Sequence, residues 1–140
     1  MARVLMVCLL LLWTLGSAET RISGLTYRPF GGSPSVLELQ CTGKVLPGDL
    51  NLVSISLYET RNKNKSLASV TLLLNSKCTT SDMFSSCEID AQNTRNTAVR
   101  ALLLDLRPGQ VREFGCDVTV LVGARSQTLT WQLDVRALRE

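Results

Sequence analysis

Apolar and polar residues alternate most cleanly toward the end of the chain. Phe114, Cys116, Val118 and Val120 take every second position, and Leu129, Trp131, Leu133 and Val135 do so again. Val122-Gly123-Ala124-Arg125 between them supplies a turn. Two alternating runs around a Gly-containing turn predict an antiparallel hairpin with one buried face. A half-buried hairpin is not stable alone, so the rest of the chain must provide a covering sheet.

Earlier segments repeat the pattern. Leu37, Leu39 and Cys41 alternate with Glu38, Gln40 and Thr42, which predicts a strand over residues 35–42 with Cys41 facing inward. Leu46-Pro47-Gly48-Asp49 then reads as a turn. In residues 52–58, Val53, Ile55 and Leu57 point one way and Ser54, Ser56 and Tyr58 the other. Residues 67–74 predict a further strand whose end, Leu72-Leu73-Leu74, is apolar on both faces and implies burial or an interface. Residues 22–27 suit a first edge strand, ended by Pro29 and Gly31-Gly32. Residues 98–106 carry Leu102, Leu104 and Leu106 at alternate positions; helix competes there, and the neighbouring strands favour strand. Residues 75–97 read as a long irregular segment with one short strand at 88–91, tied by Cys78 and Cys87. Seven or eight short strands with frequent turn signals predict an all-β protein: a two-sheet antiparallel sandwich or a barrel.

The start of the chain carries a different pattern. Arg3, the apolar run of residues 4–12 and Gly16-Ser17-Ala18 have the layout of a secretory signal, so residues 1–18 are expected to be removed and residues 19–140 to form one domain. The apolar run is shorter than the roughly 20 residues of a membrane span, and the charged tail from Asp134 lacks a lipid-anchor pattern. The expected localisation is secreted and extracellular. The net charge of +3, which falls by one with Arg3, is too small to argue for nucleic acid. Of five cysteines, Cys8 leaves with the signal. Cys41, Cys78, Cys87 and Cys116 remain, an even number for an oxidising compartment with three possible connectivities. Cys41 and Cys116 each sit mid-strand on an inward face, and facing sheets pack about 10 Å apart, a gap that two inward cysteines can bridge.

Candidate chemistry is sparse. The sequence has no His, which removes Ser-His-Asp and Cys-His catalysis and the commonest zinc ligand. Glu88 and Asp90 are alternate carboxylates better read as solvated than as a calcium or acid–base pair. Arg61, Lys63 and Lys65 read as a solvated turn. Asn64-Lys65-Ser66 is an N-glycosylation sequon in that turn. No enzyme, cofactor or metal is expected.

Leu37-Glu38-Leu39-Gln40-Cys41, residues 52–58, Ser66-Leu67-Ala68-Ser69-Val70 and Phe114-Gly115-Cys116-Asp117-Val118 together resemble an immunoglobulin-superfamily domain. Within that superfamily they most resemble the immunoglobulin-like domains of molluscan fibrinogen-related proteins, secreted immune lectins of snails. The resemblance implies an immunoglobulin-like sandwich in which Cys41 pairs with Cys116 across the sheets, which leaves Cys78 with Cys87. The expected short bridge orders its own loop. The chain departs from the antibody pattern at several points. No Trp follows Cys41, so Val53, Ile55 or Leu57 fills that space and Trp131 supplies replacement volume. Phe114 stands where the fold usually has Tyr, and Gln110 and Arg112 replace the acid and Gly that usually precede the second cysteine.

The function so implied is a secreted, non-catalytic recognition module of innate-immune or adhesion type that binds a protein or glycan, with room for an oligomeric form. The family's fibrinogen-like lectin domain has no counterpart before Glu140, which suggests a short standalone form or an incomplete gene product. Two alternatives stand beside it. A lipid-carrying sandwich would use Leu72–Leu74 and Leu102–Leu104, and an inhibitor of a secreted enzyme would act through the Cys78–Cys87 loop. The sequence singles out no ligand-binding residues.

Overall fold

The computed structural model describes residues 23–48, 50–104 and 106–136. The expected signal segment, Ile22, Asp49 and the charged tail beyond Arg136 lie outside them. The described chain forms β1 (Leu25–Phe30), β2 (Ser33–Thr42), β3 (Asn51–Glu59), β4 (Ser66–Thr71), β5 (Lys77–Thr80), β6 (Ser85–Glu88), β7 (Ala98–Leu103), β8 (Val111–Val122) and β9 (Arg125–Arg136). Single 3-10 turns lie at Thr60–Asn62 and Thr94–Asn96.

Two antiparallel sheets result, in the orders β1-β2-β7-β6 and β5-β4-β3-β8-β9. This matches the variable-type immunoglobulin sandwich, in which the first sheet is A-B-E-D and two extra strands extend the G-F-C sheet. The protein has an immunoglobulin-like antiparallel sandwich, and Cys41 and Cys116 are bonded across it.

The core follows from the alternation. Leu39, Cys41 and Val99 from one sheet meet Ile55, Leu57, Phe114, Cys116 and Val118 from the other, all without solvent contact. The β8–β9 hairpin pairs without interruption from Val111↔Arg136 to Val122↔Arg125. Gly123 sits at φ +64 in the first central position of its turn, where a positive φ suits Gly. Trp131 is inward, opposite Cys116, but only half-buried. Its ring packs on Gly24, where a Cβ would collide with it. Trp131 therefore closes the side of the core, and Ile55 and Leu57 fill the centre.

Several expectations need correction. The first strand runs on to Phe30, with Pro29 inside it; an edge strand tolerates the missing N–H. Val53 is not an inward residue. Pairing with β8 skips it between Leu52 and Ser54, and Leu52 takes the buried place. On β7 the inward set is Val99, Ala101 and Leu103, so Leu102 and Leu104 belong to the other parity and Leu104 is exposed. Leu106 is buried, but beyond the strand.

Residues 75–97 are more regular than expected. The short strand lies at Ser85–Glu88 rather than 88–91, because Ser85 to Glu88 pair with Ala101 to Ala98. Beyond it the Asp90 carboxylate accepts from the amides of Gln92 and Asn93 and turns the chain. Cys78 lies on β5 and Cys87 on β6, edge strands of opposite sheets, and the two are bonded. The short bridge is thus a second link between the sheets and does more than order a loop.

Candidate recognition surfaces

Three surfaces gather polar or exposed apolar groups. The first is the end of the sandwich formed by residues 43–48 and 50, residues 72–76 and the Gly123-Ala124 turn. These are the places of the B–C, C′–C″ and F–G loops that variable domains use for binding. The β4–β5 loop stands out. Leu72 is half-buried and held by its N–H to the Val53 carbonyl at 2.8 Å. Leu73 is 56 % exposed and Leu74 fully exposed. Leu74 also has φ +65, the left-handed region that costs an L-residue about 1–2 kcal/mol. The expected burial is met in part at Leu72, which packs against the core, and not at Leu73 or Leu74, for which an interface is what remains of that expectation. Val45 and Val122 are also exposed at this end, with the exposed cations Lys44, Lys77 and Arg125 beside them.

The β2–β3 loop on this end is well anchored. The Arg95 guanidinium donates to the Leu46 carbonyl. The Leu52 N–H donates to Thr94 Oγ1 at 3.2 Å, and Thr42 Oγ1 donates to the Thr97 carbonyl at 3.0 Å.

The second surface is the outward face of the five-stranded sheet. Register aligns Lys77, Thr71, Ser54, Thr119 and Thr128 in one row, and Thr79, Ser69, Ser56, Asp117 and Thr130 in the next. Asp117 Oδ1 accepts from Tyr58 Oη at 2.9 Å and from Thr130 Oγ1 at 2.8 Å. Lys63 Nζ stands 4.0 Å from its other oxygen and 5.5 Å from the centre of the Tyr58 ring. Burial first, then the bond to Asp117 and its charge, push the Tyr58 hydroxyl up to about 12. Tyr58 is buried on this outward face because its ring lies across Gly115. The alternation of apolar and polar residues gives no sign of this network. Gly115, which interrupts the outward polar positions of β8, was the available signal.

The third surface is a cleft of about 250 Å³ between the β3–β4 turn and the β5–β6 loop, lined by Glu59, Asn62, Lys65, Leu67, Ser81 and Asp82. Asn64 is exposed in that turn, which the Lys65 N–H closes onto the Asn62 carbonyl at 3.0 Å. Nearby, Arg112 grips Glu59 through two bonds of 2.9 and 2.8 Å and stacks over Phe114 at 5.2 Å. The Arg112 bond, with its charge, holds the Glu59 carboxyl below its ordinary range despite burial.

The structure does not bring Glu88 and Asp90 together as a site. Glu88 pairs with Arg100 at 2.6 Å, while Asp90 is occupied by backbone amides and Asn96. Among the described residues no group of three or more His, Cys, Asp or Glu is placed to hold a metal. None of the described helices is long and apolar enough to cross a membrane.

No family model matches the sequence, and no curated protein matches it. Among solved structures, the chain is similar to one in the crystal structure of ICOS in complex with ICOS-L and an anti ICOS-L VNAR domain. The identity is 9 %, the alignment covers 79 % of this chain and 100 % of that one, and the TM-score is 0.49. The fold assignment rests on the sheet order and the bond between Cys41 and Cys116.

Proposed function

We propose that the chain is an extracellular, non-catalytic recognition module that binds a protein through the loop end of its sandwich. One observation carries the reading: Leu74 stands fully in solvent in a left-handed conformation beside the exposed Leu73. Strain of this kind clusters at functional sites. Covering a leucine side chain contributes about 1.5–3 kcal/mol, so a partner that buries Leu73 and Leu74 would offset it. Lys44, Lys77 and Arg125 select for an apolar depression with an acidic border.

The extracellular setting is supported by two disulfides and by the signal-like pattern of residues 1–18, with residues 19–140 as the domain. An innate-immune role is supported by the resemblance of residues 37–41, 52–58, 66–70 and 114–118 to the snail fibrinogen-related proteins. The lipid-carrier reading is weaker. Leu73, Leu74 and Leu104 face solvent, and the inter-sheet space is filled by Leu39, Ile55, Leu57, Phe114 and Val118. The inhibitor reading keeps one observation in its favour, the exposed Met83 and Phe84 on the loop between Cys78 and Cys87.

The test places a photoreactive leucine analogue at position 74 and, separately, a photoreactive residue at position 56 on the sheet face. The secreted chain is exposed to fluid and cells of its source. A protein adduct from position 74, suppressed by Leu73→Asp, supports the reading. Adducts from position 56 alone, or only lipid adducts from position 74, overturn it.

A further inference from the structure

The sequon and the third surface meet at one place in the fold. Asn64 is exposed in the tight turn between β3 and β4. Two residues near it in the chain, Asn62 and Lys65, line the cleft of about 250 Å³. The opposite wall is fixed before any ligand arrives. The Ser81 N–H donates to the Leu67 carbonyl at 3.0 Å, and Asp82 Oδ1 accepts from the Phe84 N–H at 2.8 Å. Its lining combines the half-buried Leu67 with amide, ammonium, hydroxyl and carboxylate groups. One apolar patch among convergent donors and acceptors suits a sugar ring and its N-acetyl group. The volume lies below the range of drug-sized pockets, which suits a single ring.

We propose that Asn64 carries an N-linked glycan and that its first N-acetylglucosamine seats in this cleft. Attachment forms a bond from the Asn64 side-chain nitrogen to sugar C1. The C1–O bond to the pyrophosphate of a lipid-linked oligosaccharide donor breaks, the lipid pyrophosphate leaves with the bonding pair, and the amide proton passes to a base on the transferase. The Ser66 hydroxyl completes the acceptor sequon. The glycan would stand at the opposite end of β4 from Leu73 and Leu74. It would shield the β3–β4 turn and leave the loop end open. The proposal rests on the sequon and the cleft, so it can fail while the Leu74 reading stands, and the reverse.

The full chain is expressed in eukaryotic cells from its own start and the secreted product is weighed intact. The expected product is heavier than the polypeptide and collapses to one species with peptide N-glycosidase. Asn64→Gln and Ser66→Ala abolish the added mass, and Ser66→Thr, which preserves the sequon, retains it. The seat is tested by melting midpoint. Chain trimmed by an endoglycosidase to one N-acetylglucosamine should melt a few degrees above the Asn64→Gln variant, and Ser81→Ala should shrink that gap. A secreted chain with unmodified Asn64 overturns the site. Equal midpoints for trimmed chain and variant overturn the seat.

Discussion

Two disulfides cross between the same two sheets, one through the middle of the sandwich and one at its side. Cys41 and Cys116 are both wholly buried and lie 75 residues apart in sequence. Around them pack Leu39, Ile55, Leu57, Val99, Phe114 and Val118. Cys78 and Cys87 lie only nine residues apart. They join two four-residue edge strands, one of which is exposed at every position. In the centre, burial already holds the sheets together and the bond mainly restricts the unfolded chain. At the side, burial is thin, and the bond itself keeps β5 and β6 in place. The same covalent link therefore adds stability in one region and defines the structure in the other.

Removing the central bond gives the largest effect. Cys41→Ala with Cys116→Ala should cost about 4–5 kcal/mol by loop-closure entropy, with a cavity cost added. For a domain of marginal stability that is a large share of the total. Denaturant unfolding of the purified chain measures it. A loss below about 1 kcal/mol would mean that the buried core alone sets the stability of the centre and that the bond adds little to it.

Removing the lateral bond, Cys78→Ser with Cys87→Ser, should cost about 2–3 kcal/mol by the same relation. Where the loss appears matters more than its size. Amide exchange should quicken in β5, β6 and the loop carrying Leu73 and Leu74, while β8 and β9 keep their protection. Uniform quickening across both sheets would erase the distinction between centre and side.

The difference between the two regions also decides what the sequence made legible. Leu37-Glu38-Leu39-Gln40-Cys41 and the hairpin around Gly123 each turn apolar side chains into the core and mostly polar ones to the other face, and that contrast writes a period of two. β5 and β6 have little buried face, so Lys77-Cys78-Thr79-Thr80 and Ser85-Ser86-Cys87-Glu88 leave no alternation to read. The opposite failure occurs at Leu102-Leu103-Leu104, where apolar residues at both parities made the inward set ambiguous. The bulge that sets Val53 aside is a matter of register and leaves no mark on composition. Of the candidate surfaces, only the Asn64 sequon was visible as a motif. The φ of Leu74 and the meeting of Tyr58 with Asp117 exist only once the strands are aligned.

A smaller test concerns the outward face at the centre, where Tyr58 lies across Gly115. A Cβ at position 115 would stand 2.6 Å from the Tyr58 ring, so Gly115→Ala must displace the ring or the strand. The expected cost is about 1–3 kcal/mol, the range for overpacking. Tyr58→Ala should recover part of that loss in the double variant, because it removes the colliding ring. Additive losses would show that position 115 is sensitive for a reason other than the ring.

The smallest effect at neutral pH belongs to the hydroxyl of Tyr58. Tyr58→Phe removes one bond to Asp117, worth about 1 kcal/mol, and leaves Asp117 with Thr130 and Lys63. The effect of the hydroxyl should change in alkali. Folding raises the hydroxyl from 10.0 to about 12, so the folded state favours the protonated form. Below pH 10 both states keep the proton and this contribution is complete. Between pH 10 and 12 the unfolded chain releases its proton first, and stability falls as pH rises. Above the folded value both states are ionised and the contribution is lost. Unfolding free energy of the native chain should therefore decline through this window more steeply than that of Tyr58→Phe. Parallel pH profiles would mean that Tyr58 ionises as easily folded as unfolded, and the burial and Asp117 contact assigned to it would not hold in solution. A steeper native profile would place the close packing of the central strands on their outward face as well as in the core, in contrast to the open edge at β5.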